Sequence, residues 1–359
     1  MSVLPRVSRT SRHRTTGQSH SIWCLIAVAA ALLLSFSAAA QDGKKDKAFE
    51  DKLLLSADGW PLKLTYYKST DGKEAAVVVL LHMKNESRMV WTAPNGFAEK
   101  SLQGKGFAVI ALDLRKHGQS KPDATDDEFP KSSADKDKSA KKVSSGDLRP
   151  ADHQAMVVDL EAVKRFIFEE HQKGHLNMRK TAIIAPTMSA AISVVFAAND
   201  WAKTPYDDAS TPAARTPRGQ DIQALVLMSP ETNVAGIQVH QAAPALKATP
   251  LATLVLVGKT DPEKEQAKKL FQLLGGDPAK TAQPKKTDAK KGKDKDAESS
   301  KVDKQRHYYI ELNTKLRGTE LLGKKLEVEE AIVGFLTNHV QNLKGFAYEW
   351  RDRENQATK

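Results

Sequence analysis

Beyond residue 40 this sequence has no cysteine. The one cysteine of the 359-residue chain, Cys24, sits inside an N-terminal apolar run, so disulfides, thiolate metal sites and a cysteine nucleophile are excluded together for the rest of the chain. No Gly-rich phosphate loop, HExxH motif or internal repeat occurs. His171 and His175 stand four residues apart, but Gly174 falls between them, and they read as exposed histidines at a helix end rather than as a metal pair. No metal site and no cofactor are expected.

The chain opens on Arg6, Arg9, Arg12 and Arg14 with no acid among them, continues into an apolar run from Ile22 to Leu34, and closes on Ala38-Ala39-Ala40. That order of basic, apolar and small residues is a secretory signal over 1–40, cleaved after an Ala-x-Ala site. The alternative is an uncleaved anchor, because the run approaches the length of a span. Export to a periplasmic or extracellular space is therefore expected, with membrane contact only if the segment stays uncleaved. Without those four arginines the chain has 51 basic residues in place of 55, against 44 acids, and its net charge falls from +11 to +7.

Two charged tracts hold much of that charge. Residues 121–150 have seven basic and seven acidic side chains, and residues 277–306 have ten basic and six acidic. Both lack the apolar residues that offset the ordering of a chain, so they read as disordered, Lys-rich low-complexity insertions. A basic balance confined to such loops, without stacking aromatics on a structured face, does not make a nucleic-acid interface. A charged tail follows at 346–359. What remains is about 250 residues, enough for one large domain.

Eight short apolar runs recur through that remainder: Leu53–Leu55, Leu62–Tyr67, Ala75–Leu81, Phe107–Leu112, Thr181–Ile184, Ala224–Met228, Thr253–Val257 and Tyr308–Leu312. Several are rich in valine and isoleucine without alternation, as strands covered on both faces are. Asp58-Gly59 and Asp71-Gly72 punctuate the first runs and suggest an antiparallel start. Between the later runs, Met156, Leu160, Val163 and Ile167 fall on one face of a helix ended by Gly174. A small-residue helix follows over Ala190–Ala198, and a last helix carries Val328, Ile332, Phe335 and Leu336. Strands alternating with helices predict an α/β fold in three layers, with a mostly parallel sheet.

The stretch Leu112-Asp113-Leu114-Arg115-Lys116-His117-Gly118-Gln119-Ser120 resembles the Asp-x-Arg-Gly-His-Gly-x-Ser segment after the fourth strand of the α/β-hydrolase fold superfamily, with Lys116 at the usual glycine. Val77–His82 is similar to the third strand leading into the oxyanion-hole turn, here His82-Met83. Lys180–Ala191 (KTAIIAPTMSAA) is similar to the strand, nucleophile elbow and helix start. The resemblance covers roughly Leu53 to Leu343 apart from the insertions. It implies an eight-stranded, mostly parallel sheet flanked by helices. The interval from Glu231 to Pro250 is too short for a lid domain.

Carried over residue by residue, the resemblance puts Thr187 at the nucleophile position within Ala185-Pro186-Thr187-Met188-Ser189, where both elbow glycines are gone. A second register makes Ser189 the nucleophile, but it extends the strand through Pro186, which cannot donate a ladder hydrogen bond. Either hydroxyl is equally explained as a helix N-cap. Met83 and Met188 take the oxyanion-hole positions. Asp261, in Gly258-Lys259-Thr260-Asp261, matches the acid, with Glu231 a second choice; capping the helix near Pro262 explains Asp261 as well. Arg317, followed by Gly318, stands where the family has the base histidine. Arginine keeps its proton at any working pH, and pairing of Arg317 with Asp261 is expected if the loop closes as in the family. His82 is the reserve base; His117 is expected to pack in its loop and His339 on its helix.

Three functions compete on how many triad roles are filled. The first is a catalytically degenerate relative, a pseudoenzyme with a binding or structural role, whose partner is a small-molecule or acyl ligand at the degenerate site. The second is a divergent ester or amide hydrolase using Thr187 or Ser189. The third is an adhesion protein acting through its lysine tracts.

Overall fold

A computed structural model describes residues 49–122, 148–280 and 305–356. The N-terminal segment 1–40 and most of both insertions lie outside the described residues. Among the described residues no helix is long and apolar enough to cross a membrane.

All eight apolar runs form strands: β1 (Glu50–Leu55), β2 (Pro61–Tyr67), β3 (Val77–Leu80), β4 (Ala108–Leu112), β5 (Thr181–Pro186), β6 (Ile222–Met228), β7 (Ala252–Gly258) and β8 (His307–Leu312). They make one sheet in the order β1-β2-β4-β3-β5-β6-β7-β8. β1 pairs with β2 and β2 with β4 antiparallel, and every later pairing is parallel. The turn at Asp58-Gly59 closes the β1–β2 hairpin, with Leu55 opposite Pro61. Asp71-Gly72 does not close a hairpin: it leads into a helical turn over Gly72–Glu74, and β3 then lies beyond β4.

The absence of alternation in the strands has its cause in two apolar layers, one on each sheet face. Val77 and Val79 belong to one, and their neighbours Val78 and Leu80 to the other. Four helices cover the first face: α1 (Pro150–Gln172), α2 (Met188–Ala202), α3 (Val239–Leu246) and α4 (Lys264–Leu273). Met156, Leu160, Val163 and Ile167 of α1 are all buried in that layer. Helix α5 (Val328–Leu336) and the helical turn Phe97–Leu102 cover the second face through Phe97, Leu102, Ile332 and Phe335. Each such apolar side chain contributes about 1.5–3 kcal/mol on burial.

The loop after β4 is held by charge. Asp113, fully buried, accepts from the backbone N–H and guanidinium of Arg88 (2.6 and 2.5 Å) and from Gln119 N–H (2.8 Å). Arg115 joins Asp159 (2.6 and 2.9 Å) to Asp58 (2.7 and 2.9 Å), tying this loop to α1 and to the first hairpin. Lys116, at the position of a glycine in the family pattern, has φ +66° and holds Asp152 at 2.8 Å.

Candidate functional site

Thr187 joins β5 to α2 with φ +45° and ψ −117°. That conformation lies outside the regions open to a β-branched residue and costs about 1–3 kcal/mol, so its surroundings must impose it. They do so through the backbone. Thr187 N–H donates to Met228 O (2.9 Å), while Thr187 O accepts from Ala190 N–H (3.1 Å) and Glu231 N–H (3.1 Å). The side chain makes no capping hydrogen bond, so Thr187 holds the N-cap position without capping through its hydroxyl. Ser189 lies inside the first turn of α2, fully buried, and its hydroxyl donates to Pro186 O (2.7 Å).

Pro186 belongs to β5, opposite Met228, so the expectation that a proline would keep out of the strand is corrected. The reason is positional. Leu81 N–H donates to Ile184 O, whereas Thr187 N–H donates towards β6. Alternation along a parallel strand then turns the nitrogen of Pro186 towards β3, which has ended at Leu80. The acceptor it would have used, Leu81 O, takes the indole N–H of fully buried Trp91 instead (2.8 Å).

The turn after β3 places Met83 against the loop after β8: Gly318 there has φ +51°, which favours glycine, and a Cβ on it would meet Met83 Sδ and Pro186 Cβ. Met83 N–H, the first oxyanion-hole candidate, donates to Glu86 Oε2 (3.1 Å), and Glu86 Oε1 accepts from Thr319 Oγ1 (2.6 Å). A carboxylate therefore occupies that donor. The second candidate, Met188, opens α2, so its N–H has no acceptor within the helix. The sequence reading missed Glu86. It reaches back across a turn closed by Glu86 N–H on Met83 O (3.2 Å), with Asn85 at φ +69°. Asparagine is favoured at that turn position.

His82 is not placed to act as a base. Its Nε2 accepts from Leu114 N–H (3.0 Å), so the proton is on Nδ1, which donates to Met83 O (2.8 Å). Burial, with the nearby His117 adding to it, pushes its pKa down to about 4. His117 packs in its loop as expected, its ring 4.9 Å from that of His82. His339 packs on Phe335 (5.0 Å) and contacts the Tyr308 hydroxyl, and His307 meets Thr253 Oγ1. His171 is fully buried between the Leu176 and Arg351 carbonyls, against the expectation of exposure, and His175 contacts Glu170. Among the described residues no cluster of His, Cys, Asp or Glu could hold a metal ion.

The loop after β8 brings Arg317 to both acids. It crosses close over the end of β7, where a Cβ on Gly258 would stand 2.8 Å from Thr314 O and 2.9 Å from Leu316 O. Arg317 Nε lies 3.1 Å from Asp261 Oδ1, and Nη2 lies 3.5 Å from Glu231 Oε1. Asp261 Oδ1 also accepts from Glu263 N–H (2.9 Å), in the turn before α4. Asp261 thus meets Arg317, but it does not cap the helix: that begins at Lys264 with Glu263 at its N-cap, and Asp261 closes only the turn before it. The ion pair is loosely aligned: Arg317 Nε and Asp261 Oδ2 are both buried without a hydrogen-bond partner among the described residues. Burial raises the pKa of Glu231 against the lowering effect of Arg317.

This arrangement presents the partly exposed guanidinium of Arg317, while Asp261 with its unpartnered Oδ2 is enclosed behind it. Among its members, Arg317 accepts no proton, and the imidazole beside the turn is committed to backbone.

No protein-family model matches the sequence, and no curated protein matches it. Solved structures do. An esterase of Pyrococcus furiosus is similar over 82% of this chain and 91% of its own, with a TM-score of 0.50 and 13% identity. An esterase of Rhizomucor miehei aligns over 81% and 83%, with a TM-score of 0.48 and 12% identity. At such identities the likeness to the first speaks of architecture alone. Together with the single eight-stranded sheet, antiparallel only at its start, and the strained turn between β5 and α2, it shows that the chain has the α/β-hydrolase fold.

Proposed function

We propose that this is an exported protein in which the α/β-hydrolase site has become a binding or structural site. The observation that carries this reading is the Arg317 guanidinium between Asp261 and Glu231, on the loop where the resemblance expects a base histidine. A hydroxyl at Thr187 needs an acceptor to become a nucleophile near neutrality, and arginine is none. Glu86 adds a second obstacle by setting negative charge on Met83 N–H, where a hydrolase collects the developing oxyanion. The ligand expected is a small-molecule or acyl compound whose polar end meets Arg317. Export rests on the segment 1–40.

One observation favours hydrolysis instead. Thr187 keeps a strained backbone at φ +45°, and such strain persists at functional positions. Fluorophosphonate labelling of the purified protein, with peptide mapping and a short-chain ester assay beside an active control hydrolase, separates the two. The expected result is no adduct at Thr187 or Ser189 and no turnover. An adduct at either, with turnover, overturns the proposal. Pairing Thr187→Ser with Arg317→His is the complementary test, and new esterase activity would show a site that kept its geometry and lost its chemistry.

A further inference from the structure

At the other end of β5 from Thr187, a pocket of about 280 Å³ opens between α1, the segment joining α2 to β6, and the C-terminal residues. Five cations line it, Lys164, Arg165, Lys203, Arg218 and Arg353, against the single acid Glu161. Lys203 is neutralised by Glu161 at 2.7 Å. Lys164 and Arg353 are anchored from behind by Asp221, at 2.8 Å from Lys164 and at 2.7 and 3.0 Å from the two terminal nitrogens of Arg353. Asp200 also contacts Lys164, and Arg179 reaches Asp221 at 3.2 Å. Burial would raise the pKa of Asp221, but the charges of Arg353, Lys164 and Arg179 outweigh it and hold the carboxyl well below its usual range.

Those acids serve the cations at the back of the pocket and leave a surplus at its mouth. Arg165 and Arg218 are exposed and have no acidic partner among the described residues: Arg165 donates to Leu55 O (3.3 Å), and the Arg218 guanidinium lies over the Tyr206 ring at 5.2 Å. Arg353 is 4% exposed, and its Nε is buried with no hydrogen-bond partner. Two guanidinium groups without acidic partners, at the mouth of a pocket with Lys164 and Arg353 at its back, offer charge-assisted donors to an oxyanion. Phe168, Tyr206 and Met178 add an apolar wall, which suits a ligand with an aromatic or aliphatic body.

We propose that this pocket binds a small organic oxyanion, a phosphate ester or carboxylate carried on an apolar body, independently of the elbow site. Calorimetric titration of the full chain at low salt with phenyl phosphate, and in parallel with benzoate, tests it. One saturable site is expected. Arg165→Gln and Arg218→Gln, both exposed and so tolerated by the fold, are each expected to weaken binding about tenfold, the loss of one charge-assisted hydrogen bond. Arg317→Gln is expected to leave it unchanged. Tighter binding of phenyl phosphate assigns the site to phosphate esters, and tighter binding of benzoate assigns it to carboxylates. The proposal is overturned if neither probe saturates a folded sample. It is also overturned if binding survives both arginine replacements, or if Arg317→Gln abolishes it, which would place the anion at the elbow.

Discussion

The two ends of β5 each bring arginine to aspartate, and they do so in opposite ways. At the amino end, Asp221 is 1% exposed and receives both terminal nitrogens of Arg353 as well as Lys164 and Arg179. At the carboxyl end, Arg317 is 31% exposed at its side chain, approaches Asp261 without hydrogen-bond alignment, and reaches Glu231 only at 3.5 Å. A pair closed on every side belongs to the architecture. A loose pair whose guanidinium stays partly exposed, over an enclosed carboxylate, leaves a cation that a ligand can meet. Ion pairs of the same composition can therefore serve folding at one edge and recognition at the other.

The sharpest test of that contrast is Asp221→Asn, which leaves three buried cations facing a neutral amide. It should cost about 3–5 kcal/mol in urea unfolding, as for other broken buried pairs, and a cost below that of Arg317→Gln would erase the distinction. The carboxyl edge has one equally intolerant member, His82. Its folded pKa of about 4 lies below its ordinary 6.5, so the unfolded chain binds more protons between those values. Its contribution is complete above pH 6.5 and is lost as pH falls below that value. His117, His171 and His307 are also depressed, each chiefly by burial, and act in the same direction. The part due to His82 is the pH slope that disappears in His82→Gln. Next in size is Thr187→Gly, which removes the β-branch from φ +45° and should raise stability by about 1 kcal/mol after the greater freedom of glycine in the unfolded chain. A lower melting temperature for that variant would show that the turn is not strained. The smallest loss, read from the same urea curves, belongs to Arg317→Gln: about 1 kcal/mol, because the guanidinium is partly exposed and loosely aligned while Asp261 keeps its bond from Glu263 N–H.

The central strands were legible because they are buried on both faces, so apolar residues run uninterrupted through them, as in Val77–Leu80 and Ile222–Met228. The glycine signal was only half informative: Asp58-Gly59 closes a hairpin, whereas Asp71-Gly72 starts a crossing to the far side of β4. Thr187 and the approach of Arg317 to Asp261 were also legible, since chain position after β5, β7 and β8 sets them. The argument used to choose Thr187 over Ser189 was unsound in its premise, because a proline at a strand's end costs little once the neighbouring strand has stopped. Glu86 was hidden, since whether a carboxylate reaches back to an amide three residues earlier depends on a turn that composition does not specify. Arg353 was hidden for another reason: it lies in a stretch read as a charged tail, and its burial comes from Asp221, 132 positions away.

The indole of Trp91 stands in for the amide that Pro186 lacks, and this gives the protein an optical property. Leu81, whose carbonyl that indole grips, immediately precedes the His82-Met83 turn beside the elbow. A fully enclosed, singly hydrogen-bonded indole emits at short wavelength and is shielded from aqueous quenchers. With Trp23, Trp60, Trp201 and Trp350 replaced by phenylalanine, the emission of Trp91 would therefore report on the surroundings of this turn.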